Sequence, residues 1–169
     1  YQKKQEEYKL TYGKIISNMG SYYYQKREYE EALKWHKKAL EFRKLSLPDR
    51  VMDSYRTIMS DYFCMKQYEK GYETYREAVK KTQPDALFLV RAIGCELCLL
   101  KEKKEENLEK QILEELPVQI ERVVELAVSN RRMNVGVLKD LQKKLEELEA
   151  WTELQELVKE YRTKIEEYL

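Results

Sequence analysis

Residues 20–39 read GSYYYQKREYEEALKWHKKA, and residues 59–78 read MSDYFCMKQYEKGYETYREA. Superposed with a shift of 39, Ser21 falls on Ser60, Tyr23 on Tyr62, Tyr24 on Phe63, Tyr29 on Tyr68, Glu30 on Glu69 and Ala39 on Ala78, while Ala32 falls on Gly71 and His36 on Tyr75. Small residues meet small ones, and aromatic residues meet large ones. Apolar residues recur at three- and four-residue steps, Ile16, Met19 and Tyr23, then Tyr29, Leu33, His36 and Leu40, which is the spacing of one helix face. Each copy predicts two helices, and the two copies predict a helical-hairpin repeat. Antiparallel helices approach closely only where side chains are small, so Gly20 and Ala32 are expected to face each other, with Tyr23 and Tyr29 closing the gap near the turn and Ala39 meeting the next hairpin.

The rest of the chain agrees with a helical protein. Its 169 residues suit one domain or one short repeat array. Charged residues make up 37%, with only five Gly and three Pro, which excludes collagen-like, Pro/Gly-rich disordered and small disulfide-scaffold classes. No apolar run reaches the length of a membrane span and no basic-then-apolar leader opens the chain, so a soluble, cytoplasmic protein is expected. The chain starts on Tyr1 inside a helix-like stretch, Lys3 to Leu10, and is expected to be part of a longer polypeptide. Residues 1–83 carry 18 Lys/Arg against 12 Asp/Glu and residues 84–169 carry 14 against 19. That balance gives no support to direct nucleic-acid contact, which calls for a domain-wide basic excess.

Beyond residue 83 the repeat signal fades. Pro84 suits a helix first turn, Ala86–Leu100 reads as an apolar helix with Gly94 at a close crossing, and Lys101–Asn107 as a charged connection. Leu108–Leu116 reads as a helix, Pro117 as the start or kink of the next, Val118–Ser129, and Asn130–Asn134 as a loop. In Val135–Leu169 the stripe Leu138, Leu141, Leu145 and Leu148 is followed by Trp151, Leu154, Val158 and Tyr161, spaced like Tyr29, Ala32, His36 and Ala39. A degenerate hairpin is the preferred reading. One long coiled-coil-like helix is the alternative, because no breaker separates Leu148 from Trp151.

Catalytic chemistry finds little footing. His36 is the single histidine, in a slot that holds Tyr75 in the second copy, and reads as a packing residue. Cys95 and Cys98 form a C-x-x-C on a predicted helix, and with only Cys64 besides they fall short of a four-cysteine zinc site. The thiols are expected to be reduced, small apolar residues holding no metal. The glycines are scattered singly, without a phosphate loop. Neither an enzyme nor a cofactor is expected.

A surface remains. The first helix of each stacked hairpin lines the concave side of such an array. This puts Lys14, Ser17, Asn18, Ser21 and Tyr24 of the first copy there, with Asp53, Arg56, Thr57, Ser60 and Phe63 of the second, and Arg91 continuing the series. Such a set suits an extended peptide: Asn18 can donate to and accept from its backbone, Arg56 can grip a carboxylate, and Tyr24 can hold an apolar side chain. The candidate peptide-binding residues are Lys14, Asn18, Ser21, Tyr24, Arg56, Ser60, Phe63 and Arg91.

The sequence resembles the tetratricopeptide repeat. Gly20, Tyr23, Tyr29, Ala32 and Ala39 match its pattern, as do Tyr62, Tyr68, Gly71, Tyr75 and Ala78, with Met59 replacing the small residue. The period of 39 exceeds the family's usual length of about 34, and the extra length is placed in longer helices and the Leu45–Arg50 connection. The resemblance implies an all-α, right-handed superhelical array of antiparallel hairpins, about 3–4 repeats. It gives one domain over 1–169, with a first repeat at 11–46, a second at 49–83, and degenerate repeats and capping helices over 84–169. It also implies a peptide or protein segment in the concave groove, with the C-terminal helices offering a homodimer contact. Ser17 and Ser21 occupy slots that hold Lys and Asn in chaperone-binding members, so that subtype is not expected. Long repeats and an aromatic-rich groove look like the C-terminal domain of the peptide-pheromone receptors of Gram-positive bacteria, which implies transcriptional control and quorum sensing. The rival readings are a scaffold without a small peptide ligand, and an enzyme or regulatory domain whose catalytic partner domain precedes Tyr1.

Overall fold

The computed structural model describes residues 1–102, 105–129 and 131–169, and the side chains of all these except 131–133. The described residues contain eight α-helices, two short 3-10 turns and no strand. They form two compact units, 1–83 and 84–169. The fold is all-α, with consecutive helices packed together inside each unit, as a tetratricopeptide-like array requires.

The first unit holds α1 (Gln2–Gln25), α2 (Tyr29–Ser46), a 3-10 turn (Pro48–Arg50), α3 (Val51–Cys64) and α4 (Tyr68–Lys81). Helix α2 starts with Glu30 and Glu31 and ends with Arg43 and Lys44, charges that complement the helix dipole at both ends. Its apolar face lies against α1 on one side and α3 on the other, burying Ala32, His36, Ala39 and Leu40. The 39-residue shift survives in the backbone. Helix α1 ends on Gln25 and α3 on Cys64, and the residues that reverse the chain, Arg27 at φ 63° and Lys66 at φ 57°, are again 39 apart. Both turns close alike: Arg27 N–H donates to Tyr24 O and Glu28 N–H to Tyr23 O, as Lys66 does to Phe63 and Gln67 to Tyr62. This is the doubly bonded left-handed helix stop, here made without glycine. Between the end of α1 and the end of α3, one 39-residue period, lie α2 of 18 residues, the connection with its 3-10 turn and α3 of 14 residues, so the length beyond the usual repeat is in α2 and that connection.

Gly20 is buried, and the group nearest to where its Cβ would stand is the His36 ring. Side chains on a helix lean toward its N-terminus, so the imidazole reaches back along α2 and fills the space that a Cβ on residue 20 would need, 2.9 Å from its Cγ.

The second unit holds α5 (Ala86–Glu102), α6 (Glu106–Ser129), α7 (Arg131–Leu148), a 3-10 turn (Thr152–Leu154) and α8 (Gln155–Tyr168). Asp85 caps α5, its carboxylate accepting from Phe88 N–H at 2.9 Å, so Pro84 lies outside the helix rather than in its first turn. Helix α5 is buried almost all round, Gly94 included, and packs on α6 and α7.

Three sequence expectations give way here. Pro117 neither starts a helix nor separates two; it lies inside a continuous α6. A proline removes one helical hydrogen bond, but Ile112, Leu116, Ile120, Val123, Val124 and Ala127 are buried on both sides of it, and their packing carries the helix through. The charged connection at 101–107 shrinks, because residues 101 and 102 close α5 and residues 106 and 107 open α6; Lys103 and Lys104 lie outside the described residues. Residues 131–134, expected in a loop, belong to α7, and Asn130 lies outside the described residues. The final stretch breaks after Leu148 without Gly or Pro. Trp151 is extended at ψ 116°, a 3-10 turn follows, and Leu154, Val158 and Tyr161 are buried, as are Leu138, Leu141, Leu145 and Leu148, with α8 packed on α7.

Candidate functional site

The predicted binding residues on the first unit fall into two matching stripes. Lys14, Ser17, Asn18, Ser21 and Tyr24 on α1, and Asp53, Arg56, Thr57, Ser60 and Phe63 on α3, keep the same 3-1-3-3 spacing, which holds side chains along one helix face. Lys14 and Asn18 are exposed, Ser21, Tyr24, Arg56 and Ser60 half-buried, and Phe63 exposed. The hydroxyls are turned onto their own helices: Ser21 Oγ donates to Ser17 O at 3.3 Å, Thr57 Oγ1 to Ser54 O at 2.9 Å and Ser60 Oγ to Arg56 O at 3.0 Å. Their remaining lone pairs leave them acceptors toward a ligand N–H. Arg56 is ion-paired with Asp53.

The aromatic ends of both stripes are pinned alike. Tyr24 meets Tyr29 edge-on at 5.3 Å and Phe63 meets Tyr68 edge-on at 5.4 Å, equivalent pairs under the repeat shift. Tyr24 Oη and Cys64 Sγ lie 3.2 Å apart in a hydrogen bond, tying the end of α1 to the end of α3. The structure thus joins the two stripes at their aromatic ends. Arg91 is half-buried on α5, in the second unit.

The same unit holds polar contacts that the sequence did not announce, some of them buried. His36 Nδ1 and Asp61 Oδ2 are 2.6 Å apart with both side chains buried, so His36 is a hydrogen-bonding residue as well as a packing one. Burial pushes the Asp61 carboxyl above its ordinary range and the imidazole draws it part of the way back. Arg43 Nη1 donates to the Ser54 hydroxyl at 2.7 Å. Tyr55 Oη donates to Glu77 at 3.1 Å, and Lys44 and Lys81 reach the same carboxylate. Burial works to raise the Glu77 carboxyl, but these partners outweigh it and hold the group below the usual range. The one sequence signal for Asp61 was its place three residues after Ile58, on the face of α3 that turns to α2. The second unit has a counterpart in Glu96, fully buried on α5, which accepts from Gln119 Nε2 at 2.5 Å.

Among the described residues no group of three or more His, Cys, Asp or Glu is gathered so as to hold a metal ion. Cys95 and Cys98 sit within α5, and burial pushes the Cys95 thiol up to about 12, far from a reactive thiolate. No described helix is long and apolar enough to cross a membrane.

Comparison with known proteins bears on the first hairpin. The tetratricopeptide repeat family model matches residues 14–49, from within α1 to the 3-10 turn after α2. No curated protein and no solved structure gives a significant match. Tetratricopeptide repeats are generally non-catalytic interaction modules, so the match suggests a protein-protein interaction role.

Proposed function

We propose that the first unit binds an extended peptide or protein segment along the stripes of α1 and α3, and that it is the ligand-sensing part of a bacterial regulatory protein similar to the peptide-pheromone receptors. The observation that carries this reading is the duplication of the stripe: the same spacing of polar groups ends in the same edge-on aromatic pair on both helices. A ligand lying across two such helices meets a repeated set of amide, hydroxyl, guanidinium and ring contacts, which suits a repeating peptide backbone. Asn18 bonds the backbone of the ligand, Arg56 an acidic side chain or C-terminus, and Tyr24 an apolar side chain. Cytoplasmic residence and transcriptional control belong to this reading, and the C-terminal helices are the place for a homodimer contact.

The test is selection of binders from a random peptide library on the full chain, followed by calorimetry with a selected peptide. Losing one charge-assisted bond costs about 1.5–3 kcal/mol, so Arg56→Ala should weaken binding roughly tenfold to a hundredfold. Asn18→Ala should weaken it too, and thermal stability should shift by about 0.5 kcal/mol or less. Wild-type affinity in both variants would refute the assignment.

A further inference from the structure

Arg43 is a buried cation without an ion-pair partner among the described residues. Only 6% of it is exposed, its Nε is buried with no acceptor, its one hydrogen bond goes to the Ser54 hydroxyl at 2.7 Å, and no carboxylate among the described residues is ion-paired with it. A guanidinium keeps its proton in a protein, so this charge cannot be relieved by neutralisation. The surroundings add to the imbalance. Arg50 and Arg56 both act on Arg43 with like charge, and the acid whose field reaches it, Asp53, is already ion-paired with Arg56. Arg50, at the end of the 3-10 turn, and Asp53, Ser54 and Thr57 of α3 stand at positions i, i+3, i+4 and i+7, so the group shares one side of the chain at the start of α3.

We propose that Arg43, Ser54 and Arg56 form an oxyanion site for a carboxylate or phosphate group, with Asp53 as a resident competitor that an incoming anion displaces from Arg56. The displaced aspartate moves to water, where a half-exposed carboxylate is well solvated, and the two guanidiniums share the new anion as planar donors. The inference deepens the peptide reading, since the acidic group of a bound segment would lie here. Small anions probe it independently of any peptide.

Inorganic phosphate and sodium acetate are titrated into the full chain at constant ionic strength, and the arginine Nε–H resonances are followed by NMR. Saturable shifts of Arg43 and Arg56 are expected, with exposed Arg76 unaffected. Saturation by acetate assigns the site to a carboxylate, and saturation by phosphate alone assigns it to a phosphate group. Asp53→Asn should tighten anion binding at least severalfold by removing the competitor, and Arg56→Ala should weaken it about tenfold or more. Both substitutions touch half-buried surface positions, so neither depends on replacing Arg43 inside the α2–α3 seam. The absence of saturable shifts with either anion overturns the site, and so does an affinity unchanged or reduced in Asp53→Asn. If a selected peptide binds while neither anion does, the oxyanion site fails and the peptide surface stands; if an anion binds while no peptide can be selected, the reverse holds.

Discussion

Replacing Gly20 by Ala sets two familiar effects against each other. In a helix interior the change gains about 1 kcal/mol, because glycine loses more backbone freedom on folding. Here the new methyl would lie inside the His36 ring. The ring cannot retreat freely, because its Nδ1 is held by the buried Asp61 at 2.6 Å. Overpacking costs about 1–3 kcal/mol. If the ring instead swings away to make room, the overpacking is relieved but the bond to Asp61 is lost and a buried carboxyl is left unpaired, at ~1.5–3 kcal/mol. Either way the net expectation is destabilisation by up to roughly 2 kcal/mol. Two other glycines supply internal controls. A Cβ on Gly13 would meet Leu47 and Phe42 at ordinary contact distances of 3.4 and 3.5 Å, and one on Gly136 would meet nothing within 4 Å. Gly13→Ala should be near neutral, and Gly136→Ala should stabilise by about 0.5–1 kcal/mol. Urea unfolding followed by circular dichroism ranks the three. In a His36→Ala background the Gly20→Ala penalty should vanish, a coupling that a double-mutant cycle reads directly. Gly20→Ala as stable as Gly136→Ala would refute the packing of His36 against α1.

The remaining predictions concern pH, turns and the buried dyad. Glu96 is held well above the ordinary carboxylate range by burial, against a partial opposing effect of Gln119. The folded state therefore binds more protons than the unfolded one above about pH 4.5, and stability should fall as pH rises through that window by up to about 1.4 kcal/mol per unit. Glu96→Gln should remove this slope in urea melts taken across pH, and an identical slope in the variant would contradict the assignment. Arg27 and Lys66 hold left-handed backbone at helix stops, so Arg27→Gly and Lys66→Gly should each stabilise by about 0.5–1 kcal/mol after the entropy of the unfolded chain is counted; loss of stability in both would argue against that turn geometry. Asp61→Ala strands the His36 ring in the core and should cost about 1–3 kcal/mol, measured by the same denaturation series.

The first unit was legible because repetition adds a constraint that single-helix periodicity lacks. Tyr23 falls on Tyr62, Tyr29 on Tyr68 and Ala39 on Ala78, and each copy checks the other. In the second unit no copy was available to arbitrate. Pro117 looked like punctuation, since only the packing of Leu116 and Ile120 across it shows that the helix continues. Asn130–Asn134 looked like a loop because polar residues in a helix first turn and polar residues in a turn read alike. At the candidate site, the exposed stripes could be drawn from periodicity, but Asp61, Arg43 and Ser54 could not be seen as buried. An acid or a guanidinium in a helix is normally solvent-facing, and only the crossing of α2 with α3 decides otherwise.

The most direct measurement is amide hydrogen exchange on the full chain with and without a library-selected peptide. Binding along the paired stripes predicts added protection in residues 14–24 of α1 and 53–63 of α3, concentrated at the aromatic ends near Tyr24 and Phe63. Protection confined to α5–α8, or spread evenly over the chain, would contradict it.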